Sequence, residues 1–488
     1  MNRSAPRPRV PGRLALWLYL GAASIGCAAP LTDTQTGDGT LPSGPSPVGH
    51  PGPEAGQTRE LTSGERRVID ELAAIAERVR GLKFVRKVPV LVQDSDAIMG
   101  YVDTQIDAEE LSRAQTIYQA LGLLEADLDV RALLLRLMGE QIVGYYDAEG
   151  GQLVVRDDVM RAFGRDHEEG PQGAEAELAE SRIVLIHELV HALQDQHLGL
   201  SQAIETERDT DGDNAFRALV EGDATLAMVA FALEREAVPL SQVTAGVDLS
   251  ELVRTTPLAG SELNRAPPIV REPLLFSYVE GLGFAARLHG DGQWKRLDDA
   301  HRTPPESTEQ ILHPERYLAG EHPEEPRLPD AATLLGEDFE LLHEDTLGEL
   351  EIRVYFAIGG RSRARAAANG WGGDRLYAYK GPQERTAIAW LTSWDSEADA
   401  DQAEAAARRI AAGDPQQRVL RQGRALLLLR QVPPALQERV ARTFRELSAP
   451  QWQKPPTGAQ SQTTDSPRGM PRLLRAMRPA IERSLPAW

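Results

Sequence analysis

Apolar and polar positions first fall into a regular pattern near residue 62. Val68, Ile69, Leu72, Ile75, Ala76 and Val79 recur at helical spacing and predict one buried helix face. Thr62 and Glu65 precede them as a capping box, in which hydroxyl and carboxylate satisfy the first free amides, and Gly81 ends the helix. Val88 to Val92 reads as a short strand, and residues 107–139 read as two helices. Residues 142–146 and 152–155 are strand-like, with Asp147 to Gly151 as the turn of a hairpin. The polar, Gly-containing residues 164–174 predict a loop. Long helical patterns follow over 175–196 and 214–235, and a third over 277–289, before Pro304-Pro305 breaks the chain. Glu321 to Pro329, rich in Pro and Glu, predicts a surface connection.

After Gly370 the pattern changes. Residues 376–379, 386–391 and 424–430 are strand-like, while 398–412 and 434–447 are helical. This predicts an α+β fold class: a catalytic-sized domain over 61–360, helical with a small sheet, then a small α+β unit over 361–450. Residues 28–60 are rich in Pro, Gly, Ser and Thr and predict a tether, and 451–488 a polar tail with a short terminal helix. The 488-residue length fits more than one core. Aromatics at 5% leave packing to Leu, Val and Ala. A net charge of -20 repels phosphate backbones and argues against a nucleic-acid partner.

The first 27 residues predict export. Arg3, Arg7, Arg9 and Arg13 precede the apolar run Leu14 to Ile25, which is too short to span a bilayer as a mature helix. Ser24-Ile25-Gly26-Cys27-Ala28 is similar to the cleavage site of bacterial lipoproteins, although Ser24 stands where Leu is usual. Cys27 is the only cysteine, so no internal disulfide can form. The reading is a protein of the bacterial cell envelope, anchored to a membrane by lipid on Cys27 alone. Ordinary secretion with an incidental cysteine is the alternative.

The chemistry centres on His187-Glu188-Leu189-Val190-His191. Residues four apart lie one turn apart on one helix face, so both imidazoles can reach one metal ion. Glu188 sits beside the first, where a carboxylate can take a proton from an activated water. Apolar residues at 183, 184, 186, 189 and 190 place the helix inside the domain, where two histidines need a reason. A third donor is required. Glu221, among Leu219, Val220, Leu226 and Met228, is one candidate, since a carboxylate in such company is costly unless paired or ligating. His197 is the other. With Gln194 rather than Gly between, a continuing helix turns His197 through about 600° and away from the metal, which favours Glu221. Gly222 would allow close backbone approach, and Asp223 could orient a ligand imidazole.

His187-Glu188-x-x-His191 with Glu221-Gly222-Asp223-Ala224 resembles the gluzincin branch of the zincin metallopeptidases. More narrowly, the run from His187 to Gln196 resembles a group of predicted metallopeptidases of the bacterial envelope. Gly144-Tyr145-Tyr146-Asp147, Ser307 to Pro314 and Gly370 to Asp374 carry the same resemblance, which spans about residues 85–395. It implies a zincin-like fold, Zn2+ held by His187, His191 and Glu221, Glu188 as general base, and a sheet whose edge strand pairs with an extended substrate. One position departs: Thr225 stands where an acidic residue is expected four after the Glu ligand.

Peptide hydrolysis also needs a donor for the developing oxyanion, for which His313, Tyr278, Tyr317 and Tyr146 are candidates. Asp209 to Asn214 only superficially resembles a calcium loop, lacking its Gly and final Glu, and reads as a solvated turn capping the next helix. Gly370 to Arg375 reads as a tight turn into a strand. The expected function is zinc-dependent endopeptidase action on envelope or extracellular proteins. The alternatives are a zinc aminopeptidase, which the lack of an N-terminus-binding motif disfavours, and a non-catalytic zinc protein whose C-terminal unit binds a partner.

Overall fold

The computed structural model describes residues 58–139, 142–164, 174–245, 248–250 and 262–447. Cys27, the leader, most of the tether and the 451–488 tail lie outside the described residues. The fold is α+β, with two sheets among many helices. No described helix is long and apolar enough to cross a membrane.

The chain enters through β1 (Thr58–Arg59) and α1 (Ser63–Arg80), where the capping box forms as expected and Gly81 closes the helix at φ 77°. Then come β2 (Val90–Gln93), α2 (Ser95–Thr104), α3 (Ala108–Leu121) and α4 (Val130–Gly139). The hairpin is β3 (Gly144–Asp147) and β4 (Gln152–Arg156), followed by α5 (Asp157–Gly164). Next are α6 (Ala174–Leu198), α7 (Leu200–Glu205), α8 (Thr210–Arg235) and α9 (Pro268–Arg302). Two short helices, α10 (Thr308–Leu312) and α11 (Pro314–Ala319), close this half. Its sheet has the order β1-β2-β4-β3, so β3 is an edge.

The second half holds β5 (Glu340–Asp345), α12 (Gly348–Ala357), α13 (Arg361–Ala368), β6 (Trp371–Lys380) and β7 (Thr386–Trp394). It ends with α14 (Glu397–Ala411), β8 (Arg418–Gln422), β9 (Ala425–Arg430) and α15 (Pro434–Glu446). The strands form an antiparallel sheet in the order β5-β6-β7-β9-β8.

Several expectations need correction. The tether does not extend to residue 60, because Thr58–Arg59 already pairs with β2 and the Arg59 guanidinium bridges Glu65 and Asp157. α2 forms where the pattern shows no helix, nucleated by Asp94, whose carboxylate accepts from Ala97 N. The 277–289 helix is the middle of α9, which starts on Pro268 and kinks at Gly292 and Gln293. The C-terminal sheet begins upstream of residue 361, at β5, whose Glu340, His343, Glu344 and Asp345 disguise a strand. Residues 321–329 are not wholly surface: Glu324 and Leu328 are buried, and Glu324 N donates to Gly372 O at 2.6 Å. The halves also share a core, in which Ile117 and Leu121 of α3 pack with Tyr355, Trp390 and Leu428.

Candidate metal centre

α6 is a helix buried on every side. Each residue from Val184 to Gln194 is buried, because β3, α1 and α8 all pack against it. α8 in turn crosses α9 at Gly222 and Gly281, where a Cβ on either glycine would overlap backbone of the other helix. That crossing holds Glu221 at a fixed depth beside α6.

His187 and His191 project from successive turns of α6, with their Nε2 atoms 2.9 Å apart. Glu221 Oε2 lies 3.1 Å from His187 Nε2 and 3.6 Å from His191 Nε2. All three side chains are buried, and their donor atoms lie within 4.8 Å of one another. The ring orientations are set from behind. Gln194 donates its amide to Val220 O and Asp223 Oδ2, both at 3.0 Å, leaving its oxygen to accept from His191 Nδ1 at 2.8 Å. His187 Nδ1 faces Met228 Sδ at 3.2 Å. Both Nε2 atoms therefore face Glu221, and each offers a lone pair there when its imidazole is neutral.

Three groups that can each offer an electron pair converge in a buried site, where a proton or a cation must sit among them. Burial lowers His187. At His191 burial acts in the same sense, but the carboxylates of Glu221 and Glu188 overcome it and push the group up to about 9. Burial would raise Glu221, yet the two imidazoles hold it well below the usual carboxylate range. The donors thus suit a metal ion, which His187, His191 and Glu221 could hold together.

Glu188 points to the other neighbour of the helix. Its Oε2 accepts from Tyr146 N of the edge strand β3 at 2.8 Å. Burial pushes its carboxyl up to about 8, against the pull of His191 and of that N–H.

Other predicted residues fall in different places. α6 runs past Gln194 to Leu198, and His197 Nε2 meets Lys83 O at 2.5 Å, away from the donors. Asp223 does not touch a ligand imidazole. It pairs with Arg80 (2.7 Å) and His301 (2.9 Å) and reaches His191 only through Gln194. Thr225 is no substitute, its buried hydroxyl having no hydrogen-bond partner among the described residues. Of the four oxyanion candidates, His313 binds Glu349, Tyr317 donates to Thr303 O, and the Tyr146 hydroxyl donates to Asp195. Tyr278 brings its side chain to the donors, with its ring 6.2 Å from that of His187 and its hydroxyl interacting with Glu221.

Sequence reasoning missed Gln194, Arg80, His301 and Arg217. Gln194 carried a signal, three residues after His191 on the same helix. So did Arg217, one turn before Glu221. Arg80 and His301 come from distant helices, and nothing local marks them. The supposed solvated turn at 209–214 does cap α8, through Asp209 to Gly212 N at 2.9 Å, but Thr210, Asp211, Asp213 and Asn214 are buried. Gly370, at φ 77°, does turn the chain into β6.

Residues 338–445 match the model of a domain of unknown function, DUF8575. No curated protein and no solved structure matches the chain.

Proposed function

We propose that this protein is a zinc-dependent metallopeptidase of the gluzincin type, exported and lipid-anchored at Cys27 in the bacterial cell envelope. The observation that carries the reading is the convergence of His187, His191 and Glu221 with Glu188 hydrogen-bonded to an edge strand beside them. Zinc held by those three residues would supply Lewis-acid chemistry, polarising a peptide carbonyl and acidifying a water. Glu188 takes the proton of the attacking water as the new carbon–oxygen bond forms, and delivers it to the amine nitrogen as the carbon–nitrogen bond then breaks. β3 is the edge of its sheet, and an extended substrate would pair with it where Tyr146 N now donates to Glu188, which fits cleavage within a chain. Tyr278, closest of the candidate donors, would steady the oxyanion.

Metal analysis of purified protein, paired with turnover of a blocked peptide, tests this. Stoichiometric zinc is expected in wild type and in Glu188→Gln, with cleavage lost at least about 10³-fold in the latter. His191→Ala should lose the metal. Wild-type protein that binds no zinc would refute the proposal.

A further inference from the structure

Arg217 is used by none of the steps above. Its side chain is 3% exposed, yet it lines a narrow opening beside the metal donors. Tyr146, His191 and Glu221 also line it, and Leu200 and Ile204 of α7 with Phe216 and Val220 of α8 make an apolar wall. Neither Nε nor Nη1 of Arg217 has a hydrogen-bond partner among the described residues. Asp213 Oδ2 lies 3.9 Å from Nη2, too far for a hydrogen bond. A guanidinium cannot shed its charge, and one buried with open donors is costly unless a ligand completes it. Its planar fork matches a carboxylate in two-point fashion.

We propose that Arg217 is a specificity residue that receives a carboxylate of the substrate. This rests on the peptidase reading. Arg217 and Glu221 are one helical turn apart on α8 and line the same opening as His191. The carboxylate therefore sits close to the bond at the metal donors. It is either a free C-terminus or an Asp or Glu side chain. The walls accept an apolar side chain next to it. Glu188 and Glu221 would repel such a ligand and a cation at the donors would attract it, so it is the comparison with Arg217→Gln that isolates the share of the guanidinium.

Calorimetric titration of zinc-loaded Glu188→Gln protein tests this without turnover. Three blocked tripeptides rich in leucine serve as probes: one with a free C-terminal carboxylate, one with the amide, and one amidated with a central glutamate. One of the two acids should bind at least about tenfold tighter than the neutral peptide, and which acid does so names the source. Adding Arg217→Gln should erase the difference while zinc stoichiometry stays the same. Arg217→Lys, keeping charge but losing the fork, should retain part of it. Equal binding of all three probes, or a preference that persists in Arg217→Gln, overturns the proposal. Should Arg217→Gln lose zinc, equal probe binding in Arg217→Lys and in its parent overturns the proposal instead, and a reduced preference supports it. Wild-type protein that cleaves blocked peptides without regard to carboxylates loses only the Arg217 assignment. A carboxylate preference in zinc-loaded protein that never cleaves a peptide keeps it and loses the peptidase.

Discussion

At the scale of residues, Gln194 does the work that the motif alone does not announce. The two histidines and Glu188 are legible because their spacing is dictated by the helix repeat, and Glu221 because a carboxylate in an apolar run asks for a partner. Gln194 enters the sequence reading only as the residue that cannot break a helix. In the fold its amide is fixed by Val220 O and Asp223, so its oxygen holds His191 in one tautomer. Asp223 was expected to do this directly, but it is already engaged by the buried Arg80 and by His301. We expect Gln194→Leu to weaken zinc binding by about 10- to 100-fold, as loss of a ligand's supporting hydrogen bond does, while the protein stays folded. Competition with a chromophoric chelator, alongside circular dichroism, reads both. Unchanged affinity would mean that packing alone orients His191.

Elements were read well where one face is apolar and poorly where burial is complete or charge intrudes. α1, the hairpin, α6 and α8 follow their periodicity closely. α9 was half seen, since its 35 residues include Pro273 and a kink. β5 was unseen because Glu340, His343, Glu344 and Asp345 interrupt its apolar pattern, and Asp345 meets Thr210 N, far away in sequence, only in the folded molecule. The crossing of α8 and α9 is where element geometry sets the position of Glu221 beside the histidines. A Cβ at Gly222 would overlap Gly281 backbone, and no side-chain rotation relieves that. Gly222→Ala should therefore destabilise the protein by about 1–3 kcal/mol or more and reduce zinc occupancy by displacing Glu221. Gly100 in α2 has nothing within 4 Å of an added Cβ, so Gly100→Ala should be neutral or stabilising by up to about 1 kcal/mol. Denaturant midpoints for the pair separate overlap from a general effect of the methyl group. Equal midpoints would contradict the close crossing.

At the scale of the molecule, a buried polar seam joins the helices of the metal centre to the C-terminal sheet. No single segment reveals it, because its members lie far apart in sequence. Asp211, at the start of α8, accepts from Thr308 N and Oγ1. Asp374 of β6 accepts from Trp371, Trp390, Leu347 N and Gly348 N. Glu351 of α12 accepts from the Tyr118 hydroxyl at 2.9 Å. This explains motifs that the metal does not use: Thr308 and the Gly370 to Asp374 turn are seam residues.

The seam has a consequence for stability against pH. Burial pushes Glu351 up to about 8, helped by Asp374 and Asp211 and opposed by Tyr118. An unfolded glutamate titrates near 4.3. Below that value both states hold the proton, and the protonated Glu351 costs nothing. Between about 4.3 and about 8 the folded state keeps a proton that the unfolded chain has released, so stability falls as pH rises. Above about 8 the loss is complete. Glu351→Gln cannot titrate and keeps the bond to Tyr118. Its unfolding free energy should decline less than that of wild type between pH 5 and pH 8.5, by an amount on the order of a few kcal/mol. Glu309, raised to about 9 chiefly by burial, titrates over an overlapping range in both proteins and cancels from the comparison. Denaturant titrations at the two pH values, run with chelator so that metal binding adds nothing, give the difference directly. Parallel declines in the two proteins would place the Glu351 proton elsewhere and show that the seam tolerates a buried charge.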